Sequence, residues 1–394
     1  MSQPTHPVSS SGVLGVAGRY PLHEKPVTPL RLDGNDLQPV GPLRVYACGI
    51  TPYDVTHVGH ASTFAWTDLI GSVAHAGGFD FVLARNVTDV DDVLTESAKA
   101  QGWHYDELAL TREYLFDRDM RSLRVAAPSI TPHARSHVVS VIRLASRLLA
   151  TGDAYVSDGH VWFRGDGVPE SAGLDHDAAL TASRQYGDQD VDAERESVFD
   201  VAIWRPSGED DPAWPSPWGW GRPGWHAECA AMVMCSLGSS IHVLVGGTDL
   251  EFPHHAYQTR MVEAAASVQP FAQAVVHVGE VRLDGAKMAK STGNLVLVSD
   301  LLERFSGSAV RLGLLHRRWW QAWDCADQVF TDAEIVLEEL QRAAGSVHPP
   351  RHHDDVLARL DDDLDVPGAV VLALDRGGDA AAYLLDVLKL REGE

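Results

Sequence analysis

Two short apolar runs, Leu43-Arg-Val-Tyr-Ala47 and Phe79-Asp-Phe-Val-Leu-Ala84, are each followed by a helical pattern, from about His60 to His75 and from Asp91 to Leu115. Strands that alternate with helices in this way belong in a parallel sheet with crossover helices. The rhythm breaks between about 126 and 200. There a helical part (His137 to Thr151), a hairpin-like pair (Ala154-Tyr-Val and His160-Val-Trp-Phe) and a polar loop rich in Asp and Glu read as an insertion. Alternation returns from Met232, with Ile241-His-Val-Leu-Val245 and Ala274-Val-Val-His277, and from about Ser299 the pattern is helical. The expectation is an α/β chain in three parts. Residues 1–40, rich in Pro, Ser and Gly, form a loose arm ending in a small strand pair. Residues 41–300 form a Rossmann-like domain interrupted at about 126–200, and 301–394 form a helical domain.

With 394 residues the chain can bury a core of two or three domains. It carries 32 basic against 55 acidic residues, a net charge of −23, which repels polyanions unless basic groups are concentrated locally. Four cysteines, at 48, 229, 235 and 325, are too irregular for a disulfide framework and suit a reducing compartment. No segment approaches the roughly 18–20 apolar residues that span a bilayer, and Gly12-Val-Leu-Gly-Val-Ala-Gly18 is too short for a signal core. A soluble, cytoplasmic protein is expected.

Several short patterns carry chemistry. His57-Val-Gly59-His60 sits between a strand and a helix, where open parallel sheets bind anions at helix N-termini. Two imidazoles there can donate to phosphoryl oxygens, and Gly59 lets a nucleotide approach. Taken alone, the pattern fits two helix-capping histidines at least as well. Lys287-Met-Ala-Lys290-Ser291 holds two of only five lysines in a glycine-flanked loop. Compact ammonium groups on such a loop suit a transferring phosphate, although a solvated turn is the alternative. Cys48, Cys229 and His254 form a candidate metal set. Two thiolates and an imidazole leave zinc a fourth position that a substrate thiol fills and a hydroxyl does not. Their spacing makes no local motif, so ordinary core cysteines remain the simpler reading of spacing alone; Cys235 and Cys325 are read as core. Gly219-Trp-Gly221-Arg-Pro-Gly224 fits the dinucleotide pattern but follows Pro215-Ser-Pro217 rather than a strand and is rejected. Asp89, Asp91 and Asp92 read as helix-dipole partners rather than magnesium ligands.

In combination and in order, these residues resemble the class I cysteinyl-tRNA synthetases and their shortened relatives, the mycothiol cysteine ligases, from about 30 to 320. The resemblance rests on Cys48-Gly-Ile-Thr-Pro-Tyr-Asp, Arg85-Asn-Val-Thr88-Asp-Val-Asp-Asp92, Trp214-Pro-Ser-Pro-Trp-Gly, Gly221-Arg-Pro-Gly-Trp-His-Ala-Glu-Cys229 and Phe252-Pro-His-His255. Gly49-Ile-Thr-Pro-Tyr-Asp-Val-Thr-His and Gly293-Asn-Leu-Val-Leu-Val-Ser299 look like the ligases rather than the synthetases. The resemblance implies a class I synthetase-like (HUP-type) parallel sheet with an inserted connective subdomain and a helical stem. It implies zinc on Cys48, Cys229 and His254, and a cysteine and acyl-phosphate pocket lined by Gly49, Thr51, Thr88 and Trp225. Asp249 would hold the ribose, Gly59 and Gly247 would contact ATP, and His57, His60, Lys287 and Lys290 would handle its phosphates, with magnesium accompanying ATP. Cysteine would be activated as cysteinyl-adenylate and passed to the amine of glucosaminyl-inositol.

The resemblance is not complete. Ala289 replaces a family serine, removing a hydrogen bond worth roughly 1.5–3 kcal/mol at most. Val245 stands where the family has glycine, and its side chain is expected to crowd the nucleotide or the acceptor. Ala256 replaces a glutamate, and Gln258 stands where the synthetases have a zinc-proximal glutamate. These changes feed a rival reading, transfer of cysteine to another amine. A cysteinyl-tRNA synthetase is disfavoured by the sequence after Phe330, where six basic residues face fifteen acidic ones, a net of −9. A non-catalytic cysteine or adenylate sensor is disfavoured by the persistence of the histidines, lysines and zinc set. The expected partners are small molecules, with no nucleic acid and no membrane, for a monomer.

Overall fold

The computed structural model describes residues 29–37, 39–53, 55–187, 195–209, 211–288, 293–346 and 353–391. At its centre is a four-stranded, all-parallel sheet in the order Ala272–Val278, Ile241–Gly247, Leu43–Ile50, Phe81–Val87. Strict alternation along the strands sends Val45, Ala47, Val243 and Val245 to one face and Tyr46, Cys48 and Leu244 to the other. The first face packs on the Val58–Ala76 helix and the C-terminal helices; the second packs on Val138–Thr151, Trp225–Ser236 and Ala256–Ala266. Burial on both faces explains why the strands read as continuous apolar runs. Because Phe81–Val87 and Ile241–Gly247 flank Leu43–Ile50 on opposite sides, the chain reverses direction across the sheet there. The carboxyl ends of Leu43–Ile50 and Ile241–Gly247 therefore frame a crevice of the kind that binds ligands in open α/β sheets.

The expected strands and first helix are present, with ends shifted by a few residues. The helix expected over Asp91 to Leu115 is two helices, Asp92–Gln101 and Tyr105–Ser122. Gly102 takes a left-handed conformation (φ 69°) that closes the first, and the His104 side chain caps the second by accepting from the Asp106 N–H. The expected hairpin is found, with Ala154 paired to Phe163 and Ser157 to His160. It is the edge of a five-stranded antiparallel sheet that continues through Val201–Pro206, Gly219–Pro223 and Trp214–Ser216, beyond the expected end of the insertion near residue 200. The rejected dinucleotide pattern is thus itself a strand. A Cβ on Gly221 would lie 2.2 Å from the Arg205 carbonyl oxygen, and one on Gly224 1.9 Å from that of Ala202. These glycines serve close strand packing, not a phosphate. The strand pair expected in the arm is Leu30–Leu32 with Asn35–Leu37, its three leucines buried in the first core; the arm before it lies outside the described residues. Among the described residues, no helix is long and apolar enough to cross a membrane.

In the C-terminal helices, burial pushes the Asp361 carboxyl up to about 7. A carboxyl whose folded pKa exceeds its unfolded value favours folding in acid. That contribution disappears as pH rises from the ordinary carboxylate range through about 7. Asp361→Asn is therefore expected to raise the urea midpoint at about pH 8 and to leave it nearly unchanged at about pH 3. Equal effects at both pH values would contradict this account.

Candidate active site

A cavity of about 440 Å³ opens at the carboxyl ends of the parallel strands. It gathers Cys48, Gly49, Thr51, His57, Gly59, His60, Thr88, Trp225, Cys229, Gly247, Asp249, His254 and Lys287 into one lining. Every site residue expected from the sequence lines it except Lys290, which falls outside the described residues with Ala289 and Ser291.

At its floor, one donor atom from each of Cys48, Cys229 and His254 lies within 4.8 Å of the others, and all three residues are buried. Cys48 lies two residues before the end of the Leu43–Ile50 strand, Cys229 sits on the Trp225–Ser236 helix, and His254 precedes the Ala256–Ala266 helix. Although burial opposes its ionisation, the hydrogen bond from Cys48 and the adjacent His254 bring the Cys229 thiol down to about 5. Burial and the Cys229 hydrogen bond push Cys48 up. One thiolate is thus already favoured beside a second thiol and an imidazole, a donor set that suits zinc. Around it, the Asn86 amide donates to Cys229 Sγ (3.5 Å), and Cys48 donates to Gln258 Oε1 (3.4 Å). His226 Nδ1 is 2.9 Å from His254 Nδ1, and the Trp225 ring stacks on His254 at 4.2 Å. Such neighbours fix the orientation of metal ligands.

Above the floor, the Thr51 and Thr88 hydroxyls are 2.7 Å apart, and Thr88 also donates to the Ile50 carbonyl (3.2 Å). Thr51 is thereby the donor of the pair. Gly49 is sterically required: a Cβ there would stand 1.7 Å from the Asn86 carbonyl oxygen.

His57 is the N-cap of the Val58–Ala76 helix, its Nδ1 accepting the Gly59 N–H at 3.1 Å. The capping alternative is therefore correct for His57. An accepting Nδ1 leaves the ring proton of the neutral form on Nε2, a donor. The His60 ring stacks on His57 with centroids 4.0 Å apart, and burial lowers its pKa to about 4, so at neutral pH it is an uncharged donor. Gly59 lets the His57 ring fold back, since a Cβ would lie 2.8 Å from it.

Lys287 ends a small hairpin, Val281–Leu283 with Ala286–Lys287, turned by Asp284 and Gly285, both at positive φ. Its Nζ lies 3.7 Å from Asp249 Oδ2 and 4.3 Å from the centre of the Tyr186 ring. Both ionic partners are exposed, and a pair of this kind is worth about 1 kcal/mol or less. An incoming phosphate can take the lysine from the aspartate cheaply. The chain beyond this loop is tied to the histidine turn by Val58 N–H to the Val296 carbonyl at 2.9 Å.

The substitutions fall differently than expected. Val245 is fully buried in the first core and does not line the cavity, so it crowds no nucleotide. Ala256 also lies outside the lining, whereas Gln258 is buried against Cys48. Cys325 is core, but Cys235 is exposed, its Sγ 3.3 Å from Ser140 Oγ. The acidic trio is structural: Asp91 caps a helix, Asp92 pairs with Arg205 (3.1 Å) and Arg222 (2.7 Å), and Asp89 pairs with Arg135. The sequence patterns did not reveal Arg112, which also lines the cavity. Nothing in a lone arginine on an amphipathic helix sets it apart from a solvated one.

Residues 37–334 match the family described as the tRNA synthetases class I (C) catalytic domain. An L-cysteine:1D-myo-inositol 2-amino-2-deoxy-alpha-D-glucopyranoside ligase of Mycobacterium ulcerans is 40% identical over 398 residues, 94% of each chain. The enzyme of that name from Rhodococcus erythropolis is 41% identical over 364 residues, 87% of each chain. In three dimensions the chain is similar to Mycobacterium tuberculosis methionyl-tRNA synthetase bound by methionyl-adenylate, at a TM-score of 0.64 and 18% identity over 90% of this chain and 86% of that one. The last likeness carries the class I synthetase fold, and the first two carry the family. The chain belongs to the L-cysteine:1D-myo-inositol 2-amino-2-deoxy-alpha-D-glucopyranoside ligase family, built on a class I (C) tRNA synthetase catalytic domain.

Proposed function

We propose that the protein activates cysteine with ATP and transfers the cysteinyl group to the amine of glucosaminyl-inositol, releasing pyrophosphate and AMP, a step of mycothiol biosynthesis. The observation that carries this reading is the convergence of Cys48, Cys229 and His254 on the floor of the cavity that also holds His57, His60, Asp249 and Lys287. Zinc held by the three floor residues would supply a thiophilic fourth position, selecting cysteine over serine. Thr51, Thr88, Gly49 and Trp225 then position the amino acid so that its carboxylate faces the α-phosphate. Gly247 and Asp249 hold the nucleotide at its ribose. Pyrophosphate departs as the His57 and His60 N–H groups donate to phosphoryl oxygens. His60 acts as an uncharged donor, so the positive charge that offsets the transferring phosphate would come from Lys287, Lys290 and magnesium bound with ATP. The acceptor amine next attacks the acyl carbon; it gives up a proton, and AMP leaves. Positioning and charge stabilisation carry most of the rate.

In this reading the catalytic domain spans 41–300, holding the inserted subdomain from about 126, with the arm at 1–40 and a helical domain at 301–394. The enzyme acts in the cytoplasm as a monomer and needs no nucleic acid. The test is AMP formation from ATP and cysteine with and without glucosaminyl-inositol, with mass spectrometry for the amide. Aminosugar-driven turnover and the amide are expected. Cysteine activation that the aminosugar does not accelerate would refute this acceptor and favour another amine. No activation at all would refute the ligase reading.

A further inference from the structure

Arg112 lies on the Tyr105–Ser122 helix one turn before Phe116, and both side chains line the cavity. Phe116 is fixed in the core, its ring edge-on to Phe64 at 5.1 Å. The neighbouring cation, Arg85, is spoken for: its guanidinium lies 4.7 Å from the Phe116 ring centre and 2.7 Å from the Asp117 carboxylate. Glu113, next to Arg112 in sequence, is committed to His133, with both carboxylate oxygens 3.1 Å from Nε2. Arg112 has no such partner among the described residues, although the chain carries 55 acidic side chains. Its Nε is shut off from solvent and makes no hydrogen bond. A buried, unsatisfied donor on a charged group is costly, which points to an acceptor that arrives with a ligand.

We infer that Arg112 is a specificity-determining residue that binds an anionic oxygen group, carboxylate or phosphate, on a substrate of this cavity. The inference rests on the proposed two-step reaction. A planar guanidinium matches such groups bidentately, and the apolar Phe64 and Phe116 in the same lining lower the local polarity. The anion has two possible sources, the ATP phosphates or the cysteine carboxylate. Sheet order sets Arg112 apart from the ribose end. Its helix follows the Phe81–Val87 strand, on the opposite side of Leu43–Ile50 from the strand that leads into Asp249.

Two measurements on Arg112→Ala and Arg112→Gln separate these sources, with thermal unfolding as the check that each variant is folded. The first is cysteine-dependent ATP–pyrophosphate exchange without acceptor, read as KM for ATP and for pyrophosphate. The second is the KM for cysteine in the same exchange assay. A rise of about tenfold or more in the KM values for ATP and pyrophosphate, with that for cysteine unchanged, assigns Arg112 to the ATP phosphates. A comparable rise in the KM for cysteine, with those for ATP and pyrophosphate unchanged, assigns it to the cysteine carboxylate. Arg112→Lys should restore part of either effect. If folded variants keep the KM values for ATP, pyrophosphate and cysteine all within about twofold, the inference is overturned. Wild-type exchange would still stand as support for cysteine activation, so the two failures are distinguishable.

Discussion

Cys229→Ala is expected to lose zinc and to depress cysteine-dependent ATP–pyrophosphate exchange by about a thousandfold or more. The size follows from what the position contributes. A bound metal supplies several kcal/mol of charge stabilisation and orientation, and each 1.36 kcal/mol is a factor of ten in rate. Cys229 is the floor thiol that its surroundings bring down to about 5, so it is the donor most ready to bind a cation at neutral pH. Without it, Cys48 and His254 form a two-donor site, and Cys48 is held in its neutral form by burial. Asn86, which now donates to Cys229 Sγ, would be left with a buried unmatched N–H. The damage should be local, because alanine is readily accommodated on the Trp225–Ser236 helix, between Glu228 and Ala230. Elemental analysis for metal, the exchange assay and circular dichroism separate these effects. A folded variant that kept one zinc per chain and near-normal exchange would sink the assignment of Cys229 as a ligand.

The case of Cys229 also shows where sequence reasoning ends. The four parallel strands were legible because burial on both faces forces unbroken apolar runs, and the Val58–Ala76 helix because a helical pattern follows the first strand and its loop. Convergence of Cys48, Cys229 and His254 was not legible from spacing, since the three come from different elements and meet only through the sheet order. Resemblance to a family supplied that set. The antiparallel sheet was only half seen. Trp214–Ser216 and Gly219–Pro223 are rich in Pro and Gly, and their pairing comes from backbone contact at glycines rather than alternating apolar side chains. The Val245 expectation failed for the opposite reason. Sequence marks a substituted position but not its face, and period-two alternation turns this side chain into the core.

A buried charge cluster joins the Val58–Ala76 and Gly307–Leu315 helices, and from it comes the largest expected effect on stability. Arg311→Ala should cost about 3–5 kcal/mol. Arg311 is fully buried; its Nε donates to the Leu388 carbonyl (2.7 Å), its Nη1 to the Leu123 carbonyl (3.0 Å), and its Nη2 to Asp68. Asp68, on the Val58–Ala76 helix, also accepts from the Ala126 N–H (2.9 Å) and Lys389 (2.7 Å). One cluster thus clamps the helix that begins at His57 to the segment after Ser122 and to the last described turn of the chain. Truncating Arg311 strands two carbonyls and leaves Asp68 half-compensated in a dry interior. Burial opposes the charge on Asp68, but Arg311 and Lys389 outweigh it and hold the carboxyl below its usual value. A depressed carboxylate contributes stability that is present above its unfolded pKa and lost as pH falls through the folded one. The wild type should therefore shed this contribution only below about pH 4, and Arg311→Ala should flatten that acid limb as well as lower the plateau. Urea unfolding from pH 3 to 7 reads both. A loss under about 1 kcal/mol, or an acid limb unchanged by the substitution, would mean the clamp is not carried by this ion cluster. Because His57 and His60 ride on the clamped helix, the variant should lose exchange activity in parallel with its folded fraction, not beyond it.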